Sequence, residues 1–500
     1  MGLQIERQTL ETERLVGEKT AQALVRAEAL VPGAGRDAIE PLLADANLYI
    51  AKADLQTDRV VIEGVVSCQA VYRQGEETTL RALTATTALN HVIDIPDAEP
   101  DMLCRVRAEV DHVDARYENG HIVFQIACTV RVQVTALSPA EVIRAISGED
   151  GLETRYTKLE SVKLAAESSE MALLRDSVSL PAALDARMAL MDWMTVEIDE
   201  AAPDLGGVRV KGRAMVETLV SSGAPGRPAV VVRYPLALDQ LVELPDWLAP
   251  GAFAEAEVRS VQSRVEPAED EEGETKLVCE AELRVRVYAS VTDTAEALTD
   301  IYATQGNALS VERTRLSLCS ASNRAKVTES VRGTLLIGEN AAGVGTVIAT
   351  LAHPAVGEWR VENGQTKIEG VLEAAVLYLP GGTDRPASTE SEMPFSLTVP
   401  LALEEGAIVD IQVISAEVSA LMSDRLEMKA QLGVTCESPK REEIDVVREV
   451  AEGGPVQRRP GIIITWPGCD DDEWSVGKRY GVPAAQVGET GAGKPIVLKV

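Results

Sequence analysis

Apolar and polar residues alternate along most of this chain, and one alternating stretch recurs. Val60-Val61-Ile62-Glu63-Gly64 is repeated in form by Val208-Arg209-Val210-Lys211-Gly212 and by Thr366-Lys367-Ile368-Glu369-Gly370, which separates the closing glycines by 148 and 158 residues (212 − 64 and 370 − 212). Spacing this regular predicts three copies of one module. Period-two alternation is that of a strand with one face in a core and the other in water. A glycine at its end marks a bulge or a close backbone approach.

A shorter period runs inside the modules. Residues 23–32, 88–96, 171–181 and 236–245 all read as strands closed by proline, and the prolines of each module lie 64 residues apart (96 − 32 and 245 − 181). Each module therefore reads as two half-units, each carrying a pair of longer alternating strands, in a sandwich-like arrangement. The pairs are 46–53 with 60–72 and 108–115 with 121–134 in the first module. They are 193–199 with 208–219 and 254–265 with 276–288 in the second, and 358–362 with 366–379 and 408–421 with 425–436 in the third. Asn119-Gly120 carries a hairpin signal. In the third module Gly338 stands where the others have proline. Ser138-Pro139 with Glu141, followed by Val142, Ile143 and Ile146, predicts a short helix at the end of the first module. Ser438-Pro439 before Ile444 and Val447 repeats that signature, and residues 292–302 carry a weaker version. The expected fold is mainly β, with three modules at 1–150, 151–308 and 309–450 joined by short helices. A linker at 451–461, rich in Gly, Pro and Arg, leads to a small α/β unit at 462–500.

Composition agrees with ordinary cores built without rings: 45% of the 500 residues are hydrophobic, 25% charged and only 3% aromatic. The formal net charge of −31 (48 Lys and Arg against 79 Asp and Glu) repels phosphate backbones and anionic lipid, which argues against nucleic acid and membrane surfaces as partners. Seven cysteines, an odd number without CxxC, read as reduced and buried and point to a reducing cytoplasm. The start Met1-Gly2-Leu3-Gln4-Ile5-Glu6 lacks a secretory pattern, and no apolar run nears the roughly 18 residues of a membrane span.

The chemical motifs resolve into connections. Residues 488–494 fit GxxxxGK, but Pro495 takes the position of the magnesium-binding hydroxyl, so a turn before a last strand is expected. Gly33-Ala34-Gly35 lacks a surrounding parallel-sheet unit. The acidic run 266–274 reads as a solvated loop tip. His91, His112, His121 and His353 form no metal or nucleophile signature. A non-enzymatic protein without cofactor or metal is expected.

At the C-terminal end, Ile463-Ile464-Thr465-Trp466-Pro467-Gly468 followed by Trp474-Ser475-Val476-Gly477-Lys478-Arg479-Tyr480-Gly481-Val482 reads as a strand, an acidic turn and an amphipathic helix ending at glycine. Residues 496–498 supply a closing strand. The stretch 474–482 resembles the helix of a LysM domain. Cys469-Asp470-Asp471-Asp472-Glu473 replaces the usual turn, and 483–494 lacks the asparagine found there in that family. Three β modules followed by such an end resemble the spore-coat morphogenetic proteins with SPOCS domains, the SipL and SpoVID group. The resemblance implies a scaffold of the mother-cell cytoplasm that gathers at the forespore surface and links the coat to its basement ATPase, SpoIVA, with self-association a further expectation. On this reading Trp466, Lys478 and Arg479 contact the partner, while Trp474, Val476 and Tyr480 form the core of the small unit. The alternative is a wall-associated LysM protein that binds peptidoglycan.

Overall fold

The computed structural model describes the whole chain apart from residues 1, 34–37, 149, 268–273, 338–342, 423, 456–460, 470, 491–493 and 500. Gly338, most of the acidic run, the middle of the linker and part of the GxxxxGK stretch therefore lie outside the described residues. The first module contains β1 (Gln4–Leu30), β2 (Ile39–Gln56), β3 (Arg59–Gln74), β4 (Leu80–Asp94), β5 (Leu103–Glu118) and β6 (His121–Ser147). The second contains β7 (Leu152–Ser179), β8 (Ala186–Asp204), β9 (Gly207–Ser222), β10 (Ala229–Glu243), β11 (Ala252–Glu266) and β12 (Lys276–Ala303). The third contains β13 (Asn307–Leu336), β14 (Val344–Glu362), β15 (Gln365–Pro380), β16 (Ala387–Val399), β17 (Ile408–Met422) and β18 (Arg425–Pro455). β19 (Ile462–Thr465), α1 (Glu473–Tyr480) and β20 (Ile496–Lys499) make up the small terminal unit. β18 runs through Pro455, so the first part of the expected linker continues a strand.

Each module is a sandwich of two three-stranded antiparallel sheets, ordered β2-β3-β4 and β1-β6-β5 in the first and repeated in the other two. The expected strand pairs are the hairpins β2–β3 and β5–β6, but the half-units exchange their leading strands. β1 joins the second hairpin and β4 joins the first. Chain closure within a module thus depends on pairing its first strand with its last. Inward positions of the two sheets, among them Ile62, Val66, Phe124, Ile126 and Val130, are fully buried in one aliphatic core. β2 meets β5 and β1 meets β4 along the two open edges.

The recurring glycines have a steric cause. A Cβ on Gly64 would lie 3.0 Å from the Tyr49 carbonyl oxygen, on Gly212 2.3 Å from that of Glu197, and on Gly370 2.5 Å from that of Ala355. In each case the register slips immediately beyond the glycine's partner, after Ile50, Ile198 and Val356. A bulge presses one strand onto the next, and only glycine leaves room. Asn119-Gly120 is the two-residue hairpin turn, with both residues at positive φ (50° and 89°).

The helices expected at the module ends are strands. Residues 138–147 continue β6 and pair with 4–12 of β1; residues 292–302 lie in β12, and 438–447 in β18. The register skips Arg144, Thr299 and Arg448, one extra residue in each strand. A bulge shifts the two-residue phase, so Val142-Ile143, Ala297-Leu298 and Val446-Val447 are neighbouring pairs that are both buried. That broken alternation imitates a helical face. Pro139 is tolerated because β6 has no second neighbour here, β5 having stopped opposite Thr135.

These extensions are two-stranded ribbons, and the ribbons of the three modules pack on one another. Leu10, Leu159 and Leu318 from the first strands meet Val142, Ala297 and Val446 from the last ones, and Ile143, Leu298 and Val447 form a second layer. Leu42 and Val71, Leu190 and Leu219, and Leu351 and Leu377 form a further shared cluster elsewhere. Between these clusters the contacts run head to tail: β2 against β11, β8 against β17 and β14 against β5. Three heterologous contacts on equivalent positions close a ring within one chain.

Candidate functional site

The edge strands β5, β11 and β17 of the three modules line the middle of the ring. Their bulges at Asp111, Arg259 and Ile414 align them, which brings Arg105, Phe253 and Ile408 to one level and Arg107, Glu255 and Asp410 to the next. Glu109, Glu257 and Gln412 follow. A cavity of about 350 Å³ opens among the residues of the last two levels, with Arg131, Arg284, Arg286 and Lys326 also on its wall. Arg105 donates to Glu437 (3.0 Å) and to Glu255 (3.2 Å), and its guanidinium lies 4.4 Å from the centre of the Tyr288 ring. Arg107 bonds Glu255, and Arg324 reaches Glu437 (3.2 Å). Burial disfavours the charge on Arg105, but Glu437 and Glu255 outweigh it and raise its pKa. Burial likewise opposes ionisation of Glu437, which Arg105 and Arg324 nevertheless hold below the usual carboxylate range. Burial pushes the carboxyls of Glu109 and Asp410 upward. Arg105 and Arg107 are spent on carboxylates of neighbouring modules, and Arg284 and Lys326 reach carbonyl groups of neighbouring modules, so the network ties the ring together.

The terminal unit has the expected strand, helix and closing strand. Asp472 caps α1 by accepting from the Ser475 amide (2.8 Å), Glu473 lies in the first turn, Lys478 and Arg479 in the last, and Gly481 ends it at φ 67°. Val476 is buried with Val482, Val487, Ile496 and Leu498, and Tyr480 packs beside them with its hydroxyl 3.0 Å from that of Thr465.

Trp474, expected inside this core, points the other way. Its indole donates to Asp300 of β12 (2.8 Å) and meets the Tyr302 ring edge-on, with centroids 4.9 Å apart. Lys478 donates to the same Asp300, Arg155 pairs with Asp472 (3.1 Å), and Tyr302 donates to the Val482 carbonyl (3.0 Å). A Cβ on Gly477 would lie 2.6 Å from the Tyr302 hydroxyl, so glycine permits this approach. Burial opposes ionisation of Asp300, yet Lys478, Trp474 and Arg313 hold its carboxyl below the usual range. The unit is thus docked on the ribbon of the second module, and a core of about five aliphatic residues gains support from it.

Of the three residues assigned to a partner, Lys478 is engaged with Asp300, and Arg479 grips Asp471 through two bonds (3.1 and 2.6 Å). Trp466 is 63% exposed. It continues an outward row with Ile462 and Ile464 of β19, and Val497 lies opposite Ile464 on β20. That row is legible as alternation in residues 462–466 once β19 is known to be a strand of a two-stranded sheet.

Cys68, Cys128, Cys279, Cys319 and Cys436 are buried free thiols, Cys104 is half-buried and Cys469 exposed. Burial pushes Cys68 up to about 12 and Cys128, Cys319 and Cys436 up to about 11. They pack as small apolar groups. Among the described residues no three His, Cys, Asp or Glu converge as metal ligands, and no helix is long and apolar enough to cross a membrane. Residues 496–499 form β20, which makes the end of the GxxxxGK stretch the approach to a strand.

The molecule is a single-chain ring of three β-sandwich modules with a small docked unit. Residues 39–118 match the family model described as SipL, SPOCS domain. The match runs from the first residue of β2 to the last of β5, within the first module. No curated protein and no solved structure matches the chain.

Proposed function

We propose that this chain is a non-enzymatic scaffold of spore-coat assembly. In this role it works in the mother-cell cytoplasm at the forespore surface and links the coat to a SpoIVA-like basement ATPase through protein–protein contacts. The SPOCS-domain match over residues 39–118 is the observation that carries the reading. The ring supports it as well, since ion pairs that join modules are suited to holding a rigid body.

The terminal unit, LysM-like in its helix, is the contact element in this reading. Its sheet turns Ile462, Ile464, Trp466 and Val497 outward, and an exposed aromatic among aliphatic residues is the usual make-up of an interface anchor. Lys478 and Arg479 take part only after exchanging Asp300 and Asp471 for a partner. Capture of the basement protein by the full chain, by a chain ending at Pro455 and by Trp466→Ala tests the proposal. Loss of capture in the shortened chain and at least tenfold weakening by Trp466→Ala are expected, about 1.4 kcal/mol. Undiminished capture by the shortened chain would overturn the assignment.

A further inference from the structure

The three interfaces of the ring use equivalent positions but not equivalent chemistry. Where β2 meets β11, Asn47 donates to the Val258 carbonyl (3.0 Å); where β8 meets β17, Thr195 donates to the Val413 carbonyl (3.1 Å). Each of these residues lies four before the bulge that faces the recurring glycine, and in β14 that position is His353. On the opposing strands the residue after the bulge is Ser260 in β11, Ser415 in β17 and His112 in β5. Two of the chain's four histidines thus replace an amide or a hydroxyl at one interface, that of the third module with the first.

Each histidine has found a carboxylate across that interface. His353 Nε2 lies 3.2 Å from Asp45 Oδ1, and His112 Nδ1 lies 3.0 Å from Glu373 Oε2. Both line a cavity of about 190 Å³ into which Glu390 and Glu392 of β16 also face. Glu392 stands directly opposite Glu373, which is itself opposite His353. Burial raises the carboxyl pKa of Asp111, next to His112, and the charge of Glu373 adds to that rise. Arg233 of β10 and Glu417 of β17 lie farther along β14, beside residues 347–350. No Lys or Arg lines this cavity among the described residues. The two imidazoles are its cations when protonated; when neutral, they leave a group of carboxylates facing one another across two modules.

Topology makes this interface the one that can open. β6 leads into β7 and β12 into β13 through short connections, whereas the first and third modules meet only through side chains and backbone contacts. We propose that this interface is a proton-operated clasp: protonated His353 on Asp45, with His112 on Glu373 beside it, holds the ring shut, and loss of the His353 proton lets the first and third modules part. Burial disfavours the charge on His353, but Asp45 and Glu373 outweigh it and raise its pKa above the ordinary 6.5. Its stabilising contribution is therefore complete below 6.5 and is lost as pH rises through the raised value.

Amide exchange of the intact chain, corrected for intrinsic rates and compared at about pH 5.5 and about pH 8.5, either side of the imidazole range, tests the clasp. Protection in β2, β5 and β14 should fall by roughly threefold or more at the higher pH, while β8 and β17 at the second–third interface stay within error. The double variant His112→Ser, His353→Asn, which installs side chains used at the other interfaces, should lose this difference. Equal protection at both pH values in the unaltered chain would overturn the proposal, as would equal loosening of all three interfaces; neither comparison requires the variant to fold. A variant that folds and keeps the full pH response would also overturn it.

Discussion

Replacing Arg105 by methionine should loosen all three modules at once. Its guanidinium, on β5, bonds Glu437 of β18 and Glu255 of β11, and packs on Tyr288 of β12. Its side chain is 17% exposed. Removing one partner of a buried pair costs about 3–5 kcal/mol when the other charge is left bare. Here neither carboxylate is left bare: Glu437 keeps Arg324 (3.2 Å) and Ser322 (3.0 Å), and Glu255 keeps Arg107. That reduces the electrostatic loss to about 2 kcal/mol, and the contact with Tyr288 adds about 1 kcal/mol. Urea unfolding should therefore show a loss of about 3 kcal/mol. A double-mutant cycle with Glu437→Gln should return a coupling of at least about 1 kcal/mol. Arg315→Met, which removes an exposed pair with Asp445 and Glu443, should leave unfolding unchanged. A coupling within about 0.5 kcal/mol of zero, or equal effects of the two arginine substitutions, would show that the axial pairs do not hold the ring.

Leu159→Ala, in the shared ribbon cluster where Leu159 is fully buried, should cost about 2–5 kcal/mol by thermal or urea unfolding. Gly212→Ala forces a methyl against the Glu197 carbonyl and should cost about 1–3 kcal/mol, whereas Gly381→Ala, with nothing within 4 Å, should be close to neutral. Trp474→Ala removes the bond to Asp300 and the contact with Tyr302; amide protection in α1 should fall by at least roughly tenfold with the ring intact. Glu437 has a lowered folded pKa, so its contribution is complete above its ordinary 4.5 and is lost as pH falls through the lowered value. Urea midpoints across that acid range should drop in the unaltered chain and drop less in Arg105→Met.

Much of the fold was legible because the core is read by alternation. Val60-Val61-Ile62-Glu63-Gly64 and its two counterparts mark β3, β9 and β15, and their glycines mark real bulges. Local pattern failed where a bulge broke the phase: Val142-Ile143 before Arg144 looks helical because two adjacent side chains face one core. The same doubled apolar pair before 299 and 448 is a signature that could have exposed the error. Pairing of β1 with β6 was not legible, since neither strand's composition says which hairpin it joins. Nor was the axial network: Arg105, Glu255 and Glu437 lie far apart in sequence and look like ordinary solvated charges. In the terminal unit Val476 and Tyr480 were legible as core from helical spacing, but Trp474 was not, because its surroundings belong to β12.

Joining three like modules in one polypeptide also fixes what assembly from separate subunits leaves open. A trimer of identical subunits would present the same side three times and carry three terminal units. Among the described residues there is a single one, seated at Asp300 and Tyr302, where the second ribbon adjoins the third. The wheel therefore has one marked spoke, and anything gripping the terminal unit receives the remaining sides in a set order and orientation.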